Sequence, residues 1–109
     1  MKTSSRVGCL FCKADVEVSD LLATVEGHNP VCDSVGARCP ACGESLELRV
    51  SGRTLAVGYT YWAGSMHFEA MSEVRVPGLE RVACGPGEWA ASLDGITFLA
   101  RVPGSLLQM

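Results

Sequence analysis

The sequence predicts a mainly β protein stapled by a metal site, and three observations carry that prediction. Four cysteines stand in two Cys-x-x-Cys pairs, Cys9 with Cys12 and Cys39 with Cys42. Apolar and polar residues alternate through much of the second half, which is the period of a half-buried strand. Turn residues recur at intervals of about ten, as they do in small antiparallel sheets and barrels. The expected architecture is therefore two cysteine knuckles extended by an antiparallel β-sheet or small barrel. A chain of 109 residues suits one domain over 1–109. Within it, 7–60 carry the metal-binding part, 61–104 a β extension and 105–109 a tail.

Taken in order, Cys9-Leu10-Phe11-Cys12 forms the first knuckle, and Val16 and Val18 alternate with Asp15 and Glu17 as a strand does. Ser19-Asp20 can cap one helical turn through Leu21, Leu22 and Val25, or the strand can continue; local pattern does not decide. Gly27-His28-Asn29-Pro30 has turn chemistry, and 33–36 read as loop. After Cys39-Pro40-Ala41-Cys42-Gly43, the run Leu46, Leu48, Val50 alternates with Glu47 and Arg49, and Ser51-Gly52 supplies a turn. Leu55, Val57, Tyr59 and Tyr61 resume the alternation, which completes a hairpin. Ala63-Gly64-Ser65 breaks it before Phe68, Ala70, Val74 and Val76. A short strand follows over 79–83, closed by Gly85-Pro86-Gly87. Last come strands over 89–93 and 96–102, flanking Asp94-Gly95, a strong type I′ signal.

Two residues between cysteines let a tight turn aim both sulfurs at one ion, and two such turns complete a tetrahedron. Cys9, Cys12, Cys39 and Cys42 are thus the expected metal ligands. The glycine after Cys42 suits a positive-φ position, and Pro40 pre-sets the turn. The first knuckle has Lys13 in place of that glycine, so its geometry is expected to be less ideal. Zinc fits a closed set of four thiolates better than iron does, and such a shell leaves no open position for catalysis. Structural zinc contributes about 10–16 kcal/mol in zinc-finger peptides, comparable to the whole ~5–15 kcal/mol of an ordinary domain.

These four cysteines resemble the ligand set of the zinc-ribbon family, and more loosely that of rubredoxin, over roughly residues 7–60. The resemblance implies knuckles at the tips of adjacent β-hairpins. It says little about activity, because zinc ribbons serve in many settings. Rubredoxins also have a Cys-Pro-x-Cys-Gly knuckle, but they pack aromatics between their knuckles, and 13–38 here contain no Phe, Tyr or Trp. Iron and electron transfer are accordingly the lesser expectation.

Other reactive side chains read as structural. Cys32 is expected to be a small buried or loop thiol, and Cys84 a core residue. His28 lacks knuckle spacing, and His67 lies on the outward face of a strand with no defined triad around it. Neither cysteine pair precedes the helix that a thiol oxidoreductase needs.

Charged residues make up 19% of the chain, below the roughly 25% usual for soluble domains, which suggests that a partner covers part of the surface. The formal charge of −3 becomes about −5 once four thiolates bind a divalent ion. The basic residues are scattered among acids, which disfavours nucleic acid. Tyr59, Tyr61 and Trp62 form the patch most suited to a protein partner or to self-association. No run approaches about 18 apolar residues, and no apolar segment follows the basic start at 1–6, so a cytoplasmic protein with no membrane contact is expected. The function expected is a non-enzymatic interaction or adaptor module on a zinc platform. A nucleic-acid-binding ribbon and a rubredoxin-like electron carrier are the alternatives.

Overall fold

The computed structural model describes the backbone of residues 2–3 and the whole of residues 5–102. Its elements are β1 (Lys2–Thr3), β2 (Arg6–Gly8), β3 (Asp15–Glu17), α1 (Val18–Leu22), β4 (Glu26–Asn29), β5 (Ser34–Arg38), β6 (Ser45–Ser51), β7 (Thr54–Trp62), β8 (Met66–Arg75), β9 (Glu80–Arg81), β10 (Glu88–Leu93) and β11 (Ile96–Arg101). The main sheet has six strands in the order β1-β8-β7-β6-β5-β4, so it is open rather than closed into a barrel. It is antiparallel except that β1 joins β8 in parallel. A three-stranded sheet, β11-β10-β9, lies against it with β11 near β4 and β9 near β6. The β2–β3 hairpin forms a separate two-stranded sheet.

Alternation decides which face is buried. Leu46, Leu48 and Val50 of β6 and Leu55 and Val57 of β7 point into the core, where Val35, Val76, Leu79 and Trp89 meet them. The ambiguous segment resolves as α1, whose Val18, Leu21 and Leu22 are all fully buried. It starts one residue before Ser19, with Glu17 at the N-cap and no side-chain cap, so Ser19 is not the capping residue. Burial of three aliphatic side chains, each contributing about 1.5–3 kcal/mol, sets this short helix where capping does not.

Two sequence expectations need correcting. Residues 27–29 lie in β4 and 34–36 in β5, paired through His28↔Val35 and Asn29↔Ser34. Gly27, at φ 69°, accompanies a bulge in that pairing instead of reversing the chain. The reversal comes at 30–33, where Asn29 Oδ1 accepts the Val31 N–H at 3.0 Å and Asp33 takes φ 55°. The β6–β7 turn is centred one residue later than expected, on Gly52 and Arg53, with Gly52 at φ 59°. The Asp94-Gly95 turn has both residues at positive φ, as type I′ requires.

A second bulge shapes the end of the main sheet. Val57 faces Ser72 but Gly58 faces Ala70, which leaves Met71 as the extra residue. A Cβ at Gly58 would stand 1.8 Å from the Glu69 carbonyl oxygen, so only glycine allows the two backbones this close. Beyond the bulge β7 and β8 continue together to the 63–65 turn, while β6 pairs no further than Gly58. The distal hairpin therefore projects as an arm.

Candidate metal centre

The two knuckles are the loops of two hairpins. The first joins β2 to β3, whose last paired residues are Gly8 and Asp15, and the second joins β5 to β6 beyond Arg38 and Ser45. Each closes with the same pair of backbone bonds. Cys9 N–H donates to Ala14 O at 3.0 Å and Lys13 N–H to Cys9 O at 3.2 Å. Cys39 N–H donates to Glu44 O at 3.0 Å and Gly43 N–H to Cys39 O at 2.8 Å. Gly43 has φ 78°, and Lys13, in the equivalent place, has φ 65°. Lysine thus adopts the turn that glycine favours, and its Nζ bonds Leu10 O at 2.9 Å.

The four sulfurs lie within 4.8 Å of one another. Cys9 and Cys42 Sγ are 3.7 Å apart and Cys12 and Cys39 Sγ 3.8 Å. A tetrahedron with metal–sulfur bonds of ~2.3 Å has edges of about 3.8 Å, so the set matches a thiolate-bound ion. It does not match a disulfide, whose sulfurs sit ~2.05 Å apart, and all six cysteines are free thiols. Backbone N–H groups face the first sulfur of each pair: Phe11 at 3.3 Å from Cys9 Sγ and Ala41 at 3.4 Å from Cys39 Sγ. Cys9 and Cys39 are buried, while Cys12 and Cys42 are exposed.

Without an ion these thiols compete for protons. Burial opposes ionisation of Cys9, but hydrogen bonds from the Cys12 and Phe11 backbones and from the Cys39 and Cys12 thiols bring it down to about 6. For Cys42, a bond from the Glu44 backbone favours the thiolate. Burial and the thiols of Cys39, Cys12 and Cys9 outweigh that bond and push it up to about 12. Four adjacent sulfurs cannot all carry charge unless a cation joins them.

The remaining sequence candidates lie elsewhere. Tyr59, Tyr61 and Trp62 stand on the projecting arm, exposed by 47%, 43% and 73%. Their alternation resembles that of the core strands, but β6 ends before it can cover them. His67 is exposed, stacks on Tyr61 at 5.4 Å between ring centroids, and lies 3.3 Å from Ser65 Oγ. Cys32 is buried beside Ser34 Oγ at 3.2 Å. Cys84 is exposed and donates to Glu88 O, so it is not the core residue expected; it lies outside the sheets, just before the 85–87 turn.

Sequence reasoning missed two features. His28 Nε2 and Arg81 Nη1 grip the two oxygens of Asp33 at 2.9 and 2.8 Å, and the Arg81 guanidinium sits 5.3 Å above Trp89. Burial would raise the Asp33 carboxyl, but Arg81 and His28 together hold it below its ordinary value. The other is a groove of about 460 Å³ between the first knuckle and the arm, lined by Leu10, Phe11, Leu46, Tyr59 and Met71. Nothing local ties Phe11 to Tyr59 or Met71, so no spacing rule announces either feature.

The arrangement defines a four-cysteine metal-binding centre in paired Cys-x-x-Cys knuckles, compatible with a zinc-ribbon-like site. Comparison of the chain with protein-family models, curated proteins and solved structures returned no match. Among the described residues, no helix is long and apolar enough to cross a membrane.

Proposed function

We propose that this protein is a zinc-ribbon-type module whose ion is structural and whose projecting β7–β8 arm is a protein-contact surface. Four thiolates would close the zinc shell, leaving no position for substrate. The role is therefore adaptor-like and non-enzymatic. The observation that carries the reading is the exposure of Phe11, Tyr59 and Met71 around one groove beside the knuckle, with Tyr61 and Trp62 exposed further out on the same arm. Aromatic and methionine side chains are enriched at contact surfaces, where they supply large apolar area.

The test has two parts. Metal analysis and native mass spectrometry should give one zinc per chain; an iron-loaded, coloured protein would point to electron transfer instead. The zinc-loaded chain and a Tyr59→Ala/Trp62→Ala variant are then compared as baits in extract of the native host. A protein captured by the first and lost with the second is expected. Identical capture by both sinks the contact-surface reading.

A further inference from the structure

The outer edge of β8 carries a free stretch on the projecting arm. β8 spans ten residues, yet β1 pairs only with Val74 and Arg75. Residues of β2 and the first knuckle flank Met71 to Val74. Met66, His67, Phe68, Glu69 and Ala70 remain, five regularly paired residues between the bulge and the turn, whose outward N–H and C=O groups face no strand among the described residues. Such edges are usually blunted by lysine, proline or a covering element. This stretch has neither residue type.

We propose that a second copy of this chain covers it: the two β8 edges pair antiparallel about a two-fold axis at Phe68. The inference rests on reading the arm as a contact surface and names its occupant. In a two-fold antiparallel pair, side chains keep to one face only if some residue stands opposite its own copy. Met71 is the bulge, so the axis must fall within the regular segment. Centring on Glu69 sets two carboxylates against each other, which destabilises a sheet. Centring on His67 sets two imidazoles together and leaves Glu69 opposite the turn residue Ser65.

Centring on Phe68 pairs each His67 with the second copy's Glu69, each Met66 with Ala70, and Phe68 with itself. Tyr59 lies across from Glu69 and Tyr61 across from His67 within one chain. Each His67–Glu69 pair is therefore flanked by tyrosines, in a row running Tyr59, Glu69, the second copy's His67 and its Tyr61. His67 Nδ1 has no partner among the described residues, because Ser65 meets Nε2. The assembly also turns a two-stranded arm, marginal alone in water, into four strands.

Sedimentation velocity on the zinc-loaded chain over a concentration series tests this. A monomer–dimer equilibrium is expected. His67→Glu, which sets carboxylate against carboxylate, should weaken association at least tenfold, and adding Glu69→Lys to it should restore association. Both side chains are exposed, so zinc content and circular dichroism should stay unchanged. A wild-type chain that is monomeric to the order of 1 mM overturns the proposal. A dimer indifferent to His67→Glu, or one not restored by the double change, overturns it equally. If the chain is monomeric but aromatic truncation still abolishes host-protein capture, the dimer fails and the contact-surface reading stands. If it dimerises as described but capture is unaffected, the external partner fails alone.

Discussion

The two knuckles reach one geometry with different residues. The second has Pro40 and Gly43, and its entry is braced by Thr24, whose hydroxyl accepts the Arg38 N–H at 2.9 Å and donates to Leu21 O at 2.7 Å. The first has neither proline nor glycine. It places Lys13 at φ 65° and ties that side chain back to Leu10 O. The backbone bonds that close each loop are the same, which shows that knuckle geometry is specified by hairpin register and N–H direction more than by residue type. Left-handed backbone costs an L-residue roughly 1–2 kcal/mol, so the first knuckle is the more strained.

Removing a bound ion tests the comparison hardest, since each knuckle would supply two of its four ligands. Chelation or Cys39→Ala should remove about 10 kcal/mol of zinc-linked stability, and thermal melts should show unfolding that begins in residues 7–60. Acid reaches the same end progressively. The metal-bound form holds no thiol protons and the free form does, so lowering the pH favours release. At neutral pH the free centre already keeps its Cys42 proton, and below Cys9's value of about 6 the last acidic thiol is protonated too. Zinc affinity, followed with a chromophoric chelator, should therefore fall more steeply with pH below about 6 than above it.

A smaller change should separate the knuckles. Thr24→Val strips the brace from the second only, and should cost about 1 kcal/mol in chemical denaturation. Smallest is the exchange at the turn residue. Lys13→Gly should stabilise the chain by about 1 kcal/mol, and Gly43→Ala should cost a similar amount. No atom lies within 4 Å of a Cβ at Gly43, so the cost is conformational and not steric. If Lys13→Gly is destabilising, the Nζ bond to Leu10 outweighs the backbone strain.

What could be read from the chain was mostly local. Cys-x-x-Cys spacing marks the four residues that converge, period-two alternation marks β6 and β7, and Asp94-Gly95 marks the β10–β11 hairpin, because each signal lies within a few residues. Residues 27–36 misled because glycine, asparagine and proline there shape a bulge and a displaced turn within paired strands. Tyr59 and Tyr61 keep the core period but stay exposed, since strand length in β6 decides what covers them. Asp33 meets Arg81 across 48 residues, a separation at which no pattern in one sequence speaks.

The sulfurs come from loops of two hairpins in separate sheets, 33 positions apart along the chain between Cys9 and Cys42. An ion there would act as a weld between them: only when both hairpins have met can it take all four sulfurs, so full coordination would report that assembly is complete. Until then the small leading sheet leans on Val7 and Val16, which are buried in the core it shares with the larger one.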